Sequence, residues 1–382
     1  MRIEHEISTG LAEILMRDFA EETGLSGSAE SDQHRYLWTD ALAVQNFLAL
    51  AEDQDEKVYA DLVKELIEKV HFTLGKFSHE DPRSGWISGL SDEEGRKHPA
   101  IRGLRIGKKQ LERKRREAFN SHKEWKRDGQ YFHYHTRWIQ ALLHASEFLE
   151  DHELKRHAAE LSLAGNYFIN KINDRLYLFW KMSVNLSHPQ VLSMGAHDPL
   201  DGYLTAQECN ILTPGDYDFT DYLIYLKFLC EEKNWESTDP LGLGGLSRNI
   251  VRSVELDRQG ALPESVKPQK LFQDLYRGLG TFASQSELDS PAEYRLAFRE
   301  CGLSLGLRII DGYRDKLAEN GLDVNRLDEI LPMAETIEDF WSETENREHA
   351  SYRDHRFIND VTLASSLLAQ RVPKCFGVPE IK

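Results

Sequence analysis

No stretch of this 382-residue chain holds 18 apolar residues in a row, which excludes an ordinary transmembrane helix. The opening residues, Met1-Arg2-Ile3-Glu4-His5-Glu6, carry charge without an apolar stretch, so no secretory signal is expected there. Cysteine is scarce. Cys209, Cys230, Cys301 and Cys375 lie far apart without CxxC spacing, which suits free thiols in a reducing cytoplasm rather than a disulfide framework. Positive charge is also in deficit: 47 Lys and Arg stand against 64 Asp and Glu, for a net charge of -17. A general nucleic-acid binder needs a basic surface to replace counterions on phosphate, so nucleic acid and membrane are both excluded as expected partners. The motifs GxxxxGK[ST], GxSxG and HExxH are missing. The glycines of Leu241-Gly242-Leu243-Gly244-Gly245-Leu246 lack GxGxxG spacing and follow no strand, which argues against a nucleotide site. No cofactor is expected.

What the chain does have is helical periodicity. Leu62, Leu66, Val70 and Leu74 recur four apart. Similar patterns predict about twelve helices: near 7–19, 41–50, 58–74, 131–149, 153–172, 202–212, 218–233, 241–256, 269–284, 291–318, 325–345 and 356–370. Leu176–Met182 is the one expected strand, as a short hairpin arm. Alternate helices are small and apolar on all sides, as in Ala364-Ser365-Ser366-Leu367-Leu368, which suits burial. Those between are charged on one face, as in Asp61-Leu62-Val63-Lys64-Glu65. Six buried helices alternating with six amphipathic ones predict an all-α fold, an (α/α)6 toroid spanning 1–382 as a single domain. The inner helices would begin at one end and line a central cavity.

Residues 78–128 interrupt the helices as a long loop insertion. Within it, 96–116 hold ten Lys or Arg against the single acid Glu112. That local +9 leaves -26 for the rest of the chain. Loops this long in compact domains usually cover or form a site. Trp86, Arg102, Arg105 and Lys108 are therefore candidate ligand contacts, the cations suited to a carboxylate, phosphate or sulfate.

The starts of the buried helices carry the remaining candidates. Asp198 and Asp201 flank Pro199 and Leu200 beside Gly195 and His197. Helix capping accounts for an Asp before Pro, and it also accounts for Asp239; it does not need the crowded His and Gly. Asp40 follows Trp38 and Tyr36, a carboxylate beside rings that can stack on a sugar face. Stabilisation of the helix dipole is the plainer role for it. His133 and His135 lie among Tyr131, Arg137 and Trp138. An HxH pair converges on a metal only from a strand; on a helix the two diverge, so no metal site is expected. His133, His135 and His197 can instead act as acid or base near neutral pH. Lys181 is a further binding candidate.

Several blocks resemble an uncharacterised family of prokaryotic soluble proteins: Tyr36-Leu37-Trp38-Thr39-Asp40-Ala41, Gly85-Trp86-Ile87-Ser88-Gly89-Leu90, Gly129-Gln130-Tyr131-Phe132-His133-Tyr134, Gly195-Ala196-His197-Asp198-Pro199-Leu200-Asp201-Gly202 and Asp239-Pro240-Leu241-Gly242. That resemblance carries no activity. At the level of fold, the pattern is similar to the six-hairpin glycosidases and the N-acylglucosamine 2-epimerase group, which implies carbohydrate chemistry by analogy. Three readings follow. A glycoside hydrolase would use Asp198 or Asp201 as acid and Asp40 as base, with a small saccharide, neutral or anionic, as substrate. A sugar epimerase would use His135 and His197. A saccharide or peptide binder would use the lining alone.

Overall fold

The computed structural model of the chain describes residues 2–25, 35–54, 57–260, 262–285 and 288–379. Helix dominates. Seventeen α-helices occur among the described residues, and twelve of them have eleven residues or more. These twelve are Arg2–Glu22, Leu37–Gln54, Lys57–Leu74, Phe132–Leu149, His152–Ala164, Asp198–Leu212, Thr220–Cys230, Pro240–Asp257, Pro268–Gln285, Ala297–Gly312, Leu327–Ser342 and Arg356–Ala369. None of the described helices is long and apolar enough to cross a membrane.

Burial alternates along the chain. In Arg356–Ala369, every residue from Asn359 onward is buried. The preceding long helix, Leu327–Ser342, buries one stripe through Leu327, Ile330, Ala334, Ile337 and Trp341, the i, i+3, i+4 signature of a surface helix. Phe132–Leu149 and His152–Ala164 contrast less sharply, but in the same sense.

The described residues pack as two compact units. The first is built mainly from 232–379, with 45–54 and the N-terminal helix. Its centre is the contact of Pro240–Asp257 with Ala297–Gly312. Glycine sets the distance there: a Cβ on Gly244 would lie 2.0 Å from the Gly302 carbonyl oxygen, and one on Gly306 would lie 2.3 Å from that of Gly244. Buried beside it, the Glu338 carboxylate accepts from Ser304 Oγ at 2.6 Å, Ser366 Oγ at 2.6 Å and the Arg308 guanidinium at 2.7 Å. A buried charge is tolerable when its lone pairs are satisfied in this way.

The second unit comprises 35–44 and 61–231. Helices Phe132–Leu149, His152–Ala164, Asp198–Leu212 and Thr220–Cys230 pack in succession. The helix expected over 153–172 stops at Ala164. Gly165 sits against Tyr222, where a Cβ would meet the phenol oxygen at 2.2 Å, and Ile169–Ile172 turns into a strand paired with Arg175–Leu178. Asn173 and Asp174 both adopt positive φ, 48° and 60°, the two-residue turn that matches strand twist. The expected strand over 176–182 is divided. Its second part, Lys181–Met182, is the middle of a small sheet between Gln130–Tyr131 and Pro189–Val191.

The basic loop is less basic in space than in sequence. Acids on either side of the run pair with part of it. Arg105 pairs with Asp128 at 2.5 Å, Arg113 with Glu124 at 2.8 Å, and Lys97 with Glu93 and Glu94, each at 3.0 Å.

The glycine contact yields a stability prediction. Gly244→Ala should lower the unfolding free energy by about 1–3 kcal/mol, the usual cost of overpacking, despite the ~1 kcal/mol that Ala gains over Gly in a helix. Urea denaturation measures it; an unchanged midpoint would mean that the two helices can separate without cost.

Candidate functional site

Three helix starts of the second unit supply the candidate site. The first is Tyr36 to Asp40. The Tyr36 N–H donates to Asp40 Oδ2 at 3.0 Å, while the Asp40 N–H donates to the Tyr36 carbonyl at 3.0 Å. This reciprocal arrangement satisfies one of the free donors of a helix N-terminus. The other Asp40 oxygen lies 3.6 Å from the buried Arg35 guanidinium. Burial raises the Asp40 pKa to about 6, with Arg35 and the Tyr36 N–H opposing. One Asp40 oxygen is thus bonded within its own helix start and the other faces a buried cation.

The second start follows the strand Gln130–Tyr131, which pairs with Lys181–Met182 and runs directly into the helix from Phe132. The Phe132 N–H donates to the Trp180 carbonyl at 3.0 Å. That pairing stacks Tyr131 on Trp180, with centroids 4.9 Å apart and planes 19° apart. Tyr131 also stacks on His133 at 5.3 Å and 16°. Trp38 approaches His133 edge-on at 5.9 Å and lies tilted by 45° against Tyr134 at 5.3 Å. The Tyr36 and Tyr134 hydroxyls are 2.6 Å apart. Arg137, one turn beyond His133, places its guanidinium 5.5 Å from the Trp38 ring, a cation–π distance. Trp125, largely exposed, extends the cluster from Trp180 at 5.5 Å. The enclosing rings disfavour the His133 cation and lower its pKa to about 4, although Asp201 pulls the other way. His133 is therefore neutral at pH 7.

His135 turns away from this platform. Its Nε2 lies 3.1 Å from the Leu104 carbonyl, and its ring meets Phe168 edge-on at 5.3 Å. Burial lowers its pKa to about 4. The two histidines diverge as the helical period requires.

The third start is Asp198–Asp201. No side-chain cap bonds the helix N-terminus here. Instead Asp198 Oδ2 accepts the Gly195 N–H at 3.1 Å. A Cβ on Gly195 would lie 2.5 Å from that carboxyl, which accounts for the glycine. Asp201 lies one turn on, so the two share a helix face. Burial, then the charge of Asp201, raises the Asp198 pKa to about 7; the Gly195 bond opposes them. Asp201 acts on both Asp198 and His133, so this helix start and the ring platform share one electrostatic environment. His197 is half-buried at the N-cap position.

The other candidates divide. Lys108 Nζ donates to the Tyr131 hydroxyl at 3.2 Å and to the Trp125 carbonyl. Burial and the neighbouring Lys181 lower its pKa to about 8. Lys181 is fully buried and donates to the Glu124 and Arg127 carbonyls at 2.6 and 3.0 Å; it supports the platform from beneath. Arg105 is tied to Asp128 and to the Lys76 and Thr73 carbonyls at 2.7 and 3.1 Å. Of the three loop cations expected at the site, Lys108 reaches the ring platform and Arg105 anchors the loop. Arg102 lies over the Tyr167 ring at 3.8 Å. Trp86 donates to Asp92 at 3.0 Å and packs on Phe72, lining a separate cavity. Asp239, in the other unit, accepts the Gly242 N–H at 3.1 Å and pairs with Arg299; its geometry is that of an N-cap. Trp180 and Trp125 were not among the sequence candidates. Trp180 lies beside the candidate Lys181 in the expected strand.

No protein-family model matches the chain, and no curated protein matches it.

The raised carboxyls make stability depend on pH. A group whose folded pKa exceeds its unfolded value binds more protons when folded, so its contribution is lost as pH rises. For Asp198 that window runs from its ordinary 3.8 to about 7. Asp198→Asn should therefore gain on the wild type across this range, by on the order of 2–4 kcal/mol. Parallel curves of unfolding free energy against pH would show that Asp198 is not held protonated.

Proposed function

We propose that this chain binds a small saccharide on the Tyr131–His133–Trp180 platform and hydrolyses its glycosidic bond, with Asp198 as general acid. The fold proposed for it is the (α/α)6 toroid, on the strength of twelve long helices that alternate between buried and one-sided. The observation that carries the reading is a buried carboxyl, Asp198, with a raised pKa and a second carboxyl one turn away, beside stacked rings. Ring faces match the apolar face of a pyranose. A carboxyl with pKa about 7 keeps a substantial protonated fraction at neutral pH.

In this mechanism the Asp198 O–H protonates the glycosidic oxygen as the C–O bond breaks. Water adds to the anomeric carbon, and its proton passes to the Asp201 carboxylate. We assign the base to Asp201, which lies one turn along the helix from Asp198 and acts on its carboxyl. Neutral His133 donates to or accepts from sugar hydroxyls. Lys108 at the Tyr131 hydroxyl favours a substrate with a carboxylate or phosphate. The epimerase reading loses support, because His135 is engaged by the backbone of Leu104.

A panel of chromogenic glycosides and uronides tests the proposal. Asp198→Asn should lower kcat on any substrate turned over by about 10²–10⁴-fold, the usual contribution of a general acid, with KM little changed. Trp180→Ala should chiefly raise KM. Turnover that survives Asp198→Asn would remove the mechanism, and binding without turnover would leave a saccharide-binding protein.

A further inference from the structure

The exposed part of the basic loop is a surface that the proposed hydrolysis does not use. Every residue from Lys114 to Lys123 is exposed, so this stretch stands out from the second unit. Its base is fixed. Arg113 pairs with the buried Glu124 at 2.8 Å and donates to the Gln190 carbonyl at 3.1 Å. Arg127 pairs with Glu117 at 2.5 Å, and the Asp128 N–H donates to the Gln110 carbonyl at 2.7 Å. Within the projection, the Glu117 N–H closes a turn on the Lys114 carbonyl at 2.8 Å, and Asn120 Oδ1 accepts the Lys123 N–H at 3.0 Å.

The acids of this stretch are engaged. Glu112 pairs with Arg83 at 2.7 Å, Glu117 with Arg127 and Glu124 with Arg113. The remaining cations are not. Lys109, Lys114, Arg115, Arg116, Lys123 and Lys126 are exposed and form no ion pair among the described residues. These six charges leave -23 for the rest of the chain. The net charge that argued against a membrane is therefore carried elsewhere, and the sign is reversed here. Two large rings stand among the cations, Phe119 at 57% and Trp125 at 61% exposure. Lys114, Arg115 and Arg116 precede Phe119, and Lys123 and Lys126 follow it. Cations flanking an exposed ring suit a lipid surface, where charge meets acidic headgroups and the ring enters the layer beneath them. Tryptophan favours the headgroup level itself. A single-stranded nucleic acid is held instead in a basic groove lined with rings; a projection suits a layer that yields around it.

We propose that residues 109–126 dock the chain on an anionic lipid surface, with Phe119 entering the headgroup layer, Trp125 at its edge and the six cations against acidic headgroups. The acidic remainder of the chain is repelled by the same surface, so charge selects the face that approaches.

Sedimentation of the full chain with vesicles tests the proposal. The chain should bind vesicles of equimolar phosphatidylcholine and phosphatidylserine, should ignore vesicles of phosphatidylcholine alone, and should be released as salt shortens the reach of the charges. Each Lys or Arg near an acidic surface contributes about fivefold to binding. Replacing Lys114, Arg115 and Arg116 together by Gln should therefore weaken binding about 100-fold. Phe119→Ser should weaken it by about tenfold or more, through the lost apolar burial. Both variants change exposed side chains, and their melting temperatures report that they fold. No binding to the acidic vesicles would overturn the proposal, as would equal binding to the neutral ones. Undiminished binding by the folded triple variant or by Phe119→Ser would do the same. Tighter binding of the wild type to single-stranded DNA than to the acidic vesicles would replace the lipid surface with a nucleic acid.

Discussion

The buried ion pair between Arg105 and Asp128 is the contact on which the candidate site depends. Asp128 Oδ2 holds the guanidinium at 2.5 Å, and Oδ1 accepts the N–H groups of Gly107 and Lys108 at 3.0 and 3.3 Å. Arg105 in turn caps the end of helix Lys57–Leu74 through the Thr73 carbonyl, where a cation is favoured. Pinned in this way, the backbone between ties two helix starts together. The Leu37 N–H donates to the Ile106 carbonyl, and the Ile106 N–H donates to that of Gly129. Gly107 is obligatory, with φ of 95° and a Cβ position 2.0 Å from the Arg35 carbonyl oxygen. Removing one partner of a buried pair strands the other charge, at a cost of about 3–5 kcal/mol. Here the loss would also release Lys108 and the alignment of Trp38 with Tyr131.

The site above this anchor works by withholding solvation. His133 is kept neutral by its rings, Asp198 is kept partly protonated by burial and by Asp201, and Lys108 is made a weaker cation by its cover. Perturbed groups concentrate where chemistry is done, although structural networks perturb them too. Glu338, as deeply buried, is surrounded by donors. Asp198 has one backbone donor and a like charge nearby.

Much of the helical framework was legible from residue spacing. Burial alternation was visible because a helix covered on all sides carries few charges, and Ala364 to Leu368 carry none. The end of His152–Ala164 was not legible. Its periodicity runs on past the point where Gly165 needs Tyr222, a contact 57 residues away. The divergence of His133 and His135 followed from local geometry alone. The role of Arg105 did not, because its partner Asp128 lies outside the basic run and at the far end of the loop. The same long-range pairing hid Trp180, which reaches Tyr131 only through a two-residue strand.

The account centres on a carboxyl that still holds a proton at neutral pH beside an aromatic platform. Carbon-13 NMR of the aspartate carboxyls, with Asp198 assigned by its Asn variant, observes that proton most directly. The predicted result is a midpoint near pH 7 for Asp198. A midpoint near the ordinary aspartate value of about 4 would make Asp198 a plain surface-like carboxylate and contradict the account.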